Sequence, residues 1–175
     1  PGGVLRLLQS SDVAPREPHL LLAGNAPVAL SVWDTLIRFD RNLQPQPVLA
    51  EKWEWSPDFK SLTLKLRPGV TFHSGRELTS EDVEFNITRV REPAVGSQMR
   101  GASLLVKTIE RPDKLTIRLG FDTPYRAIFD MLDTMVIVDR ETVGDIGSGK
   151  VIGTGPFLWK EWTPNERCVL EKNPK

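Results

Sequence analysis

A single cysteine, Cys168, stands in this chain of 175 residues. No disulfide can close within it, and cysteine usage decides nothing about redox compartment. Histidine is nearly as scarce, with only His19 and His73. Neither has a partner at His-x-x-x-His spacing and no Cys-x-x-Cys occurs, so the usual signals of a metal site are missing. Neither sign of charge is in excess, since 23 basic residues face 23 acidic ones. That balance supplies no field to attract nucleic acid or an anionic membrane surface. The apolar runs are a few residues long, as in Met135-Val136-Ile137-Val138, against the roughly 20 needed to span a bilayer. Gly-x-Ser-x-Gly is absent, which removes the common hydrolase arrangement. What is present is ordinary: 39% hydrophobic residues and 14 prolines, a loop-rich domain long enough for a sizeable core.

The most informative stretch runs from Val48 to Val83. Ser61 to Arg67 alternates, with Leu62, Leu64 and Leu66 on one side and Thr63 and Lys65 on the other, which predicts a half-buried strand. Arg67-Pro68-Gly69-Val70 predicts a type II turn, because proline fixes φ and glycine accepts φ > 0 at the next position. After a loop at His73-Ser74-Gly75-Arg76, a helix is expected to start near Thr79. Thr79 suits the cap, Glu81 and Asp82 suit the positive end of the helix dipole, and Val83, Ile87 and Val90 share one face.

Elsewhere the patterns are shorter. Val4, Leu5, Leu7 and Leu8 predict a buried strand, and Ser10 to Pro18 a loop. Leu20 to Leu36 reads as a loop entering a helix, with Gly24-Asn25 as the break and Val28, Val32 and Leu36 on one face. Gln44 to Pro47 reads as a turn, and Arg91 to Gly101 as irregular. Leu104 to Glu110 and Leu115 to Leu119 predict a hairpin. Asp122-Thr123-Pro124 opens a helix whose face is Tyr125, Ile128, Phe129 and Leu132. Met135 to Val138 predicts a short apolar strand, Gly144 to Lys150 a flexible polar loop, and Phe157 to Glu161 with Arg167 to Glu171 two closing strands. Strands outnumber helices, so the expected class is α/β or α+β.

Candidate chemistry is thin. Gly144 to Lys150 has the glycines and lysine of a phosphate-binding loop, but Val151 replaces the required Ser or Thr, and Gly153-Thr154-Gly155-Pro156 follows in place of a helix. The carboxylate pairs Glu81-Asp82 and Asp130 with Asp133 fit helix starts and solvated faces. Asn86-Ile87-Thr88 matches a glycosylation sequon yet falls on an expected helix. Trp33, Trp53, Trp55, Trp159 and Trp162 are read as packing residues, and His73 as a solvated turn residue. Gly153 to Pro156 is a tight turn whose bare backbone lets another surface approach closely.

Three signatures together resemble the extracytoplasmic solute-binding proteins of ABC importers, family 5, which take up oligopeptides, dipeptides, nickel and related solutes. The first comprises Pro47, Leu49-Ala50, Trp53, Asp58, Leu66-Arg67, Gly69-Val70, Phe72, Gly75, Leu78-Thr79 and Asp82-Val83. The second is Gly153-Thr154-Gly155-Pro156-Phe157 with Asn173-Pro174 after it, and the third is Trp33 to Asp40. Glu17-Pro18-His19 departs from the Leu-Asp-Pro common in the family.

The resemblance implies a fold and a function. The fold is the first lobe of a periplasmic-binding-protein type II architecture, a twisted mixed sheet with flanking helices and a strand-rich subdomain. Residues 1–175 would be a partial N-terminal lobe lacking the second lobe, beginning after an export signal and acting in the periplasm or outside the cell at the membrane. Its role would be capture of a peptide-like solute between lobes and delivery to the permease subunits, as a monomer, without enzymatic chemistry or cofactor. The cleft-facing residues implied are Leu21, Asn25, Met99, Arg100, Thr134 and Thr154, with Gly153 and Gly155 as hinge or cleft backbone. Arg100 could hold a carboxylate through both arms of its guanidinium. Two alternatives stand beside this: a structural or interaction domain derived from the same lobe, and a nucleotide-binding enzyme resting on Lys150.

Overall fold

Leucines 62, 64 and 66 set the centre of the molecule. The computed structural model describes residues 3–8, 12, 17–20 and 26–174. In chain order the regular elements are α1 (Ala26–Val32), β1 (Ile37–Phe39), β2 (Pro45–Pro47), β3 (Ala50–Trp55), β4 (Ser61–Leu66), α2 (Ser80–Arg89), α3 (Arg100–Ser103), β5 (Thr108–Asp113), β6 (Thr116–Gly120), α4 (Ile128–Thr134), β7 (Phe157–Thr163) and β8 (Arg167–Lys172). The largest sheet has the order β3-β4-β6-β5. Every strand pairing among the described residues is antiparallel, where a mixed sheet was expected.

Register explains the core. Trp55 lies opposite Leu62 and Leu62 opposite Leu119, while Trp53 lies opposite Leu64 and Leu64 opposite Ile117. Paired residues share a face, so one face is apolar across three strands. It is covered by Val83, Ile87 and Val90 at the helical spacing expected, and by Ile128, Met131 and Leu132 of α4. Phe129 closes the end over Trp53, with ring centres 5.6 Å apart. The other face carries Thr63, Arg118 and Glu110 in register. The turn after β4 forms with Gly69 at φ +73°. At the start of α2 the Asp82 carboxylate accepts the Thr79 backbone N–H at 3.0 Å, half of a capping box.

Several local expectations change. Residues 4–8 form no strand: Val4 is 86% exposed and Leu8 fully so, because no strand among the described residues accepts their backbone or apolar side chains. The turn expected at Gln44 to Pro47 comes earlier, where the Asp40 carboxylate accepts the N–H groups of Asn42 and Gln44 at 2.8 and 2.9 Å. Pro45 and Pro47 then sit on β2, which has β1 alone as its partner and tolerates missing donors. Leu104 ends α3 rather than starting a strand, and β5 begins at Thr108. Phe121 and Tyr125 meet edge-on at 5.7 Å, which keeps the intervening chain in a turn, so α4 starts at Ile128. Val143–Ser148 is a 3₁₀ turn where a flexible loop was expected, and Lys150 pairs with Asp145 at 3.1 Å.

Met135 to Val138 is buried but makes only one ladder bridge, Thr35 to Val136. Met135 and Ile137 point into the main core, whereas Val136 and Val138 join a second core with Val32, Trp33, Ile146 and Val151. Burial on both faces explains the unbroken apolar run. Side chains replace the missing strand: the Asn86 amide donates to the Val138 carbonyl at 2.9 Å and accepts the Val138 N–H at 3.0 Å.

His19 Nε2 donates to the Val136 carbonyl at 3.0 Å, and its Nδ1 accepts from Arg89 at 2.9 Å. This fixes a neutral tautomer. Burial, reinforced by the Arg89 charge, pushes the His19 pKa down to about 4. The unfolded chain, with its ordinary histidine near 6.5, therefore binds the proton first. Stability is full above pH 6.5 and declines as pH falls through 6.5 towards 4, by about 3 kcal/mol in total. Urea unfolding between pH 7 and pH 4 measures the slope, and a flat profile across this window would contradict a buried neutral His19.

Candidate functional site

Four segments distant in sequence meet at the C-terminal end of α1: Val32 to Thr35, His73, Met135 to Val138, and Ile152 to Gly155. A helix end leaves carbonyls without intrahelical partners. Here the Val32 carbonyl accepts the Gly155 N–H at 2.9 Å. The Trp33 indole, buried in the second core, donates to the Ile152 carbonyl at 2.9 Å. The approach is so close that a Cβ on Gly153 would lie 1.9 Å from the Val32 oxygen, and one on Gly155 would lie 2.7 Å from the Ser31 oxygen. The bare backbone expected of this motif is therefore used, and the surface it receives is the end of α1.

His73 holds the same segment from the other side. Its backbone N–H donates to the Gly153 carbonyl at 2.8 Å. Its Nε2 donates to the Gly155 carbonyl at 2.9 Å, and its Nδ1 accepts the Gly153 N–H at 3.2 Å. The expectation of a solvated turn residue is thus corrected. The reason is a contact spanning 80 residues, which no local pattern encodes. Thr154 turns its hydroxyl to Asp34, accepting the Asp34 N–H at 3.3 Å and donating to Asp34 Oδ2 at 3.0 Å. The Asp34 carbonyl accepts the Ile137 N–H at 2.9 Å.

Of the cleft residues implied by the sequence, Thr154, Gly153 and Gly155 come together at this junction. Leu21 and Asn25 lie outside the described residues. Met99 is buried in the main core. Arg100 is exposed on α3, its Nε donating to the Arg91 carbonyl at 2.9 Å, and Thr134 is exposed at the end of α4 with its hydroxyl on the Asp130 carbonyl at 2.8 Å. Sequence reasoning missed His73 and Asp34 as members of the junction. Asp34 lay within the Trp33 to Asp40 signature, which was the available hint.

A recess of about 330 Å³ opens away from this junction, beside the start of α2 and the β5–β6 turn. Its basic residues are matched by acidic ones: Arg111 with Glu84 at 2.5 Å, Lys114 with Glu77 at 3.0 Å and Arg140 with Glu81 at 2.9 Å. No charge is left over there to hold an anion. No described helix is long and apolar enough to cross a membrane.

Segments distant in sequence thus meet at a glycine-rich backbone junction held by Trp33, His73 and the Thr154–Asp34 pair. The family model of bacterial extracellular solute-binding proteins, family 5, matches residues 44–175, and the chain belongs to that family. It is a family of binding proteins, not enzymes, and the fold is of the periplasmic-binding-protein type II class. The glutathione-binding protein GsiB of Pectobacterium atrosepticum is 29% identical over 83% of this chain and 29% of its own length. Di/tripeptide-binding protein 4 of Pseudomonas aeruginosa is 31% identical over 73% of this chain and 29% of its own length. The chain thus spans less than a third of these two relatives. Among solved structures, the ABC transporter-associated periplasmic binding protein DppA of Helicobacter pylori, in complex with the peptide STSA, has a TM-score of 0.79 and 26% identity, covering 94% of this chain and 38% of that one.

Proposed function

We propose that this chain is a partial first lobe of the solute-capturing component of an ABC importer, and that its solute is peptide-like. The observation that carries the reading is the likeness, over 94% of the chain, to a protein solved with a bound peptide. Capture takes place outside the cytoplasmic membrane, the solute passes to a membrane permease, and no covalent chemistry or cofactor is involved. The mechanism is hinged closure, in which solute contacts to two lobes favour the closed state over the open one. The Gly153–Gly155 segment forms the cleft side of this lobe, pinned between α1 and His73 so that it stays fixed while the lobes move. The lobe works as a monomer.

Half a cleft forfeits contacts that offset the entropy of association, so this chain alone is expected to bind weakly. The test is a titration followed by amide NMR, with di- and tripeptides, a nickel–histidine complex and simple sugars, each at millimolar concentration. Localised shifts at residues 34 and 153–155 with peptides are expected. If no peptide moves any resonance while another solute class does, the peptide reading is lost.

A further inference from the structure

Residues 17–20 are fastened to the body of the chain by polar contacts that converge on two side chains. The Glu17 carboxylate accepts from both arms of the Arg89 guanidinium, at 2.6 Å each. The His19 ring lies between Arg89 of α2 and the Val136 carbonyl, and the His19 carbonyl accepts the Ser97 hydroxyl at 3.1 Å. Within the segment, the His19 N–H donates to the Glu17 carboxylate and the Leu20 N–H to the Glu17 carbonyl, both at 3.0 Å. Pro18 and His19 are buried and Leu20 is exposed, and neither apolar core of the described residues includes a member of this segment. It can leave without opening either core.

The site accepts the neutral ring and opposes the charged one. Among the described residues, the charged groups facing His19 are Glu17 on its own segment and Arg89 on α2; its other polar neighbours are the Asn86 amide and the Val136 carbonyl. A proton on Nδ1 would set one donor against another across the 2.9 Å contact with Arg89. It would also place two cations beside one carboxylate. Glu17 stands 3.9 Å from Nδ1 and is already engaged by Arg89, so it cannot serve both at hydrogen-bond distance. A buried cation without its own partner is costly, whereas the detached ring carries its proton in water.

We infer that residues 17–20 form an acid-released latch, in which proton uptake by His19 detaches them from α2 and from Val136 while both apolar cores stay packed. Residues 21–25 link the latch to α1, whose far end is held at the junction by uncharged bonds to Ile152 and Gly155. Acid therefore acts on one end of this stretch and not on the other. The sign follows from the ring: closure is complete above pH 6.5 and weakens as pH falls towards 4, about a hundredfold by that point. The latch goes beyond the proposed function and does not depend on it.

NMR of the whole chain between pH 7 and pH 4 tests the latch. In acid, the amide resonances of His19 and Leu20 should move to unfolded positions and the contact of the His19 ring with Val136 should disappear. Leu64, Ile117 and Gly155 should keep their native shifts. His19→Gln supplies a donor for Val136 and an acceptor for Arg89 but takes up no proton, so residues 17–20 should stay closed down to pH 4. Arg89→Gln serves if that variant fails to fold. It removes the opposing cation and leaves Glu17 to pair with the protonated ring, so the pH dependence of closure should shrink below about tenfold. The inference is overturned if residues 17–20 keep their neutral-pH shifts at pH 4, or if the core resonances are lost together with theirs. It is equally overturned if either variant opens over the same pH range as the parent.

Discussion

Exchange of Gly153 for alanine is expected to be among the most damaging single substitutions in this chain. The new Cβ would fall 1.9 Å from the Val32 oxygen and 2.7 Å from the Val32 carbonyl carbon. Both are backbone atoms at the end of a helix, so no side chain can rotate away. Either the end of α1 moves or the Gly153 segment does. Movement of α1 breaks the Gly155 N–H bond to Val32 and the Trp33 indole bond to Ile152. Movement of the Gly153 segment breaks the three bonds to His73. Overpacking of this kind costs about 3 kcal/mol or more, a fall of about 6–12 °C in unfolding midpoint for a domain of this size. Gly101→Ala is the control: nothing lies within 4 Å of its added Cβ and it sits on α3, so it should be neutral or slightly stabilising. Calorimetry of the two variants decides the matter. Equal midpoints would mean that Gly153 is not closely approached.

How much of this was legible in the sequence depends on how far apart the interacting residues are. β4, its turn and α2 were readable because each is specified within a few residues: leucines at alternate positions, proline then glycine, and a cap followed by apolar residues on one helical face. The structure packs the two apolar faces together, Leu62, Leu64 and Leu66 with Val83, Ile87 and Val90. The partner of Met135 to Val138 was not readable. Its ladder is completed by the amide of Asn86, 52 residues away, and an asparagine inside a helix gives no local sign of acting as a strand. His73 was misread for the same reason. Gly153 to Gly155 was an intermediate case. The composition announced that something approaches closely, but not that the end of α1 does so. Where side chains tie two elements together, the sequence shows the residue type and hides its partner.

Arg76 is the clearest instance, and its removal should be as damaging as the Gly153 clash. Its Nη1 donates to Asp82 Oδ2 at 3.1 Å, and its Nε and Nη2 donate to Asp139 Oδ1 at 3.1 and 2.6 Å. Asp82 is 0% exposed and Asp139 1%. Burial works against the charge on Arg76, but the two carboxylates outweigh it and raise its pKa above the ordinary arginine value. The guanidinium therefore ties the loop after Phe72 to the start of α2 and to the turn after Val138. Arg140 also reaches Asp82, at 3.3 Å, but Asp139 has no other basic partner among the described residues. Arg76→Met keeps most of the side-chain volume and leaves a buried carboxylate uncompensated, an effect of about 3–5 kcal/mol. Arg111→Ala removes surface pairs with Glu81 and Glu84 and should cost less than about 1 kcal/mol. Adding Asp139→Asn to Arg76→Met should restore part of the loss, because the second change removes the charge that the first left stranded. Urea unfolding of the single and double variants tests each step. If the double variant is as unstable as the sum of the single ones, Arg76 acts through packing alone and the charge argument fails.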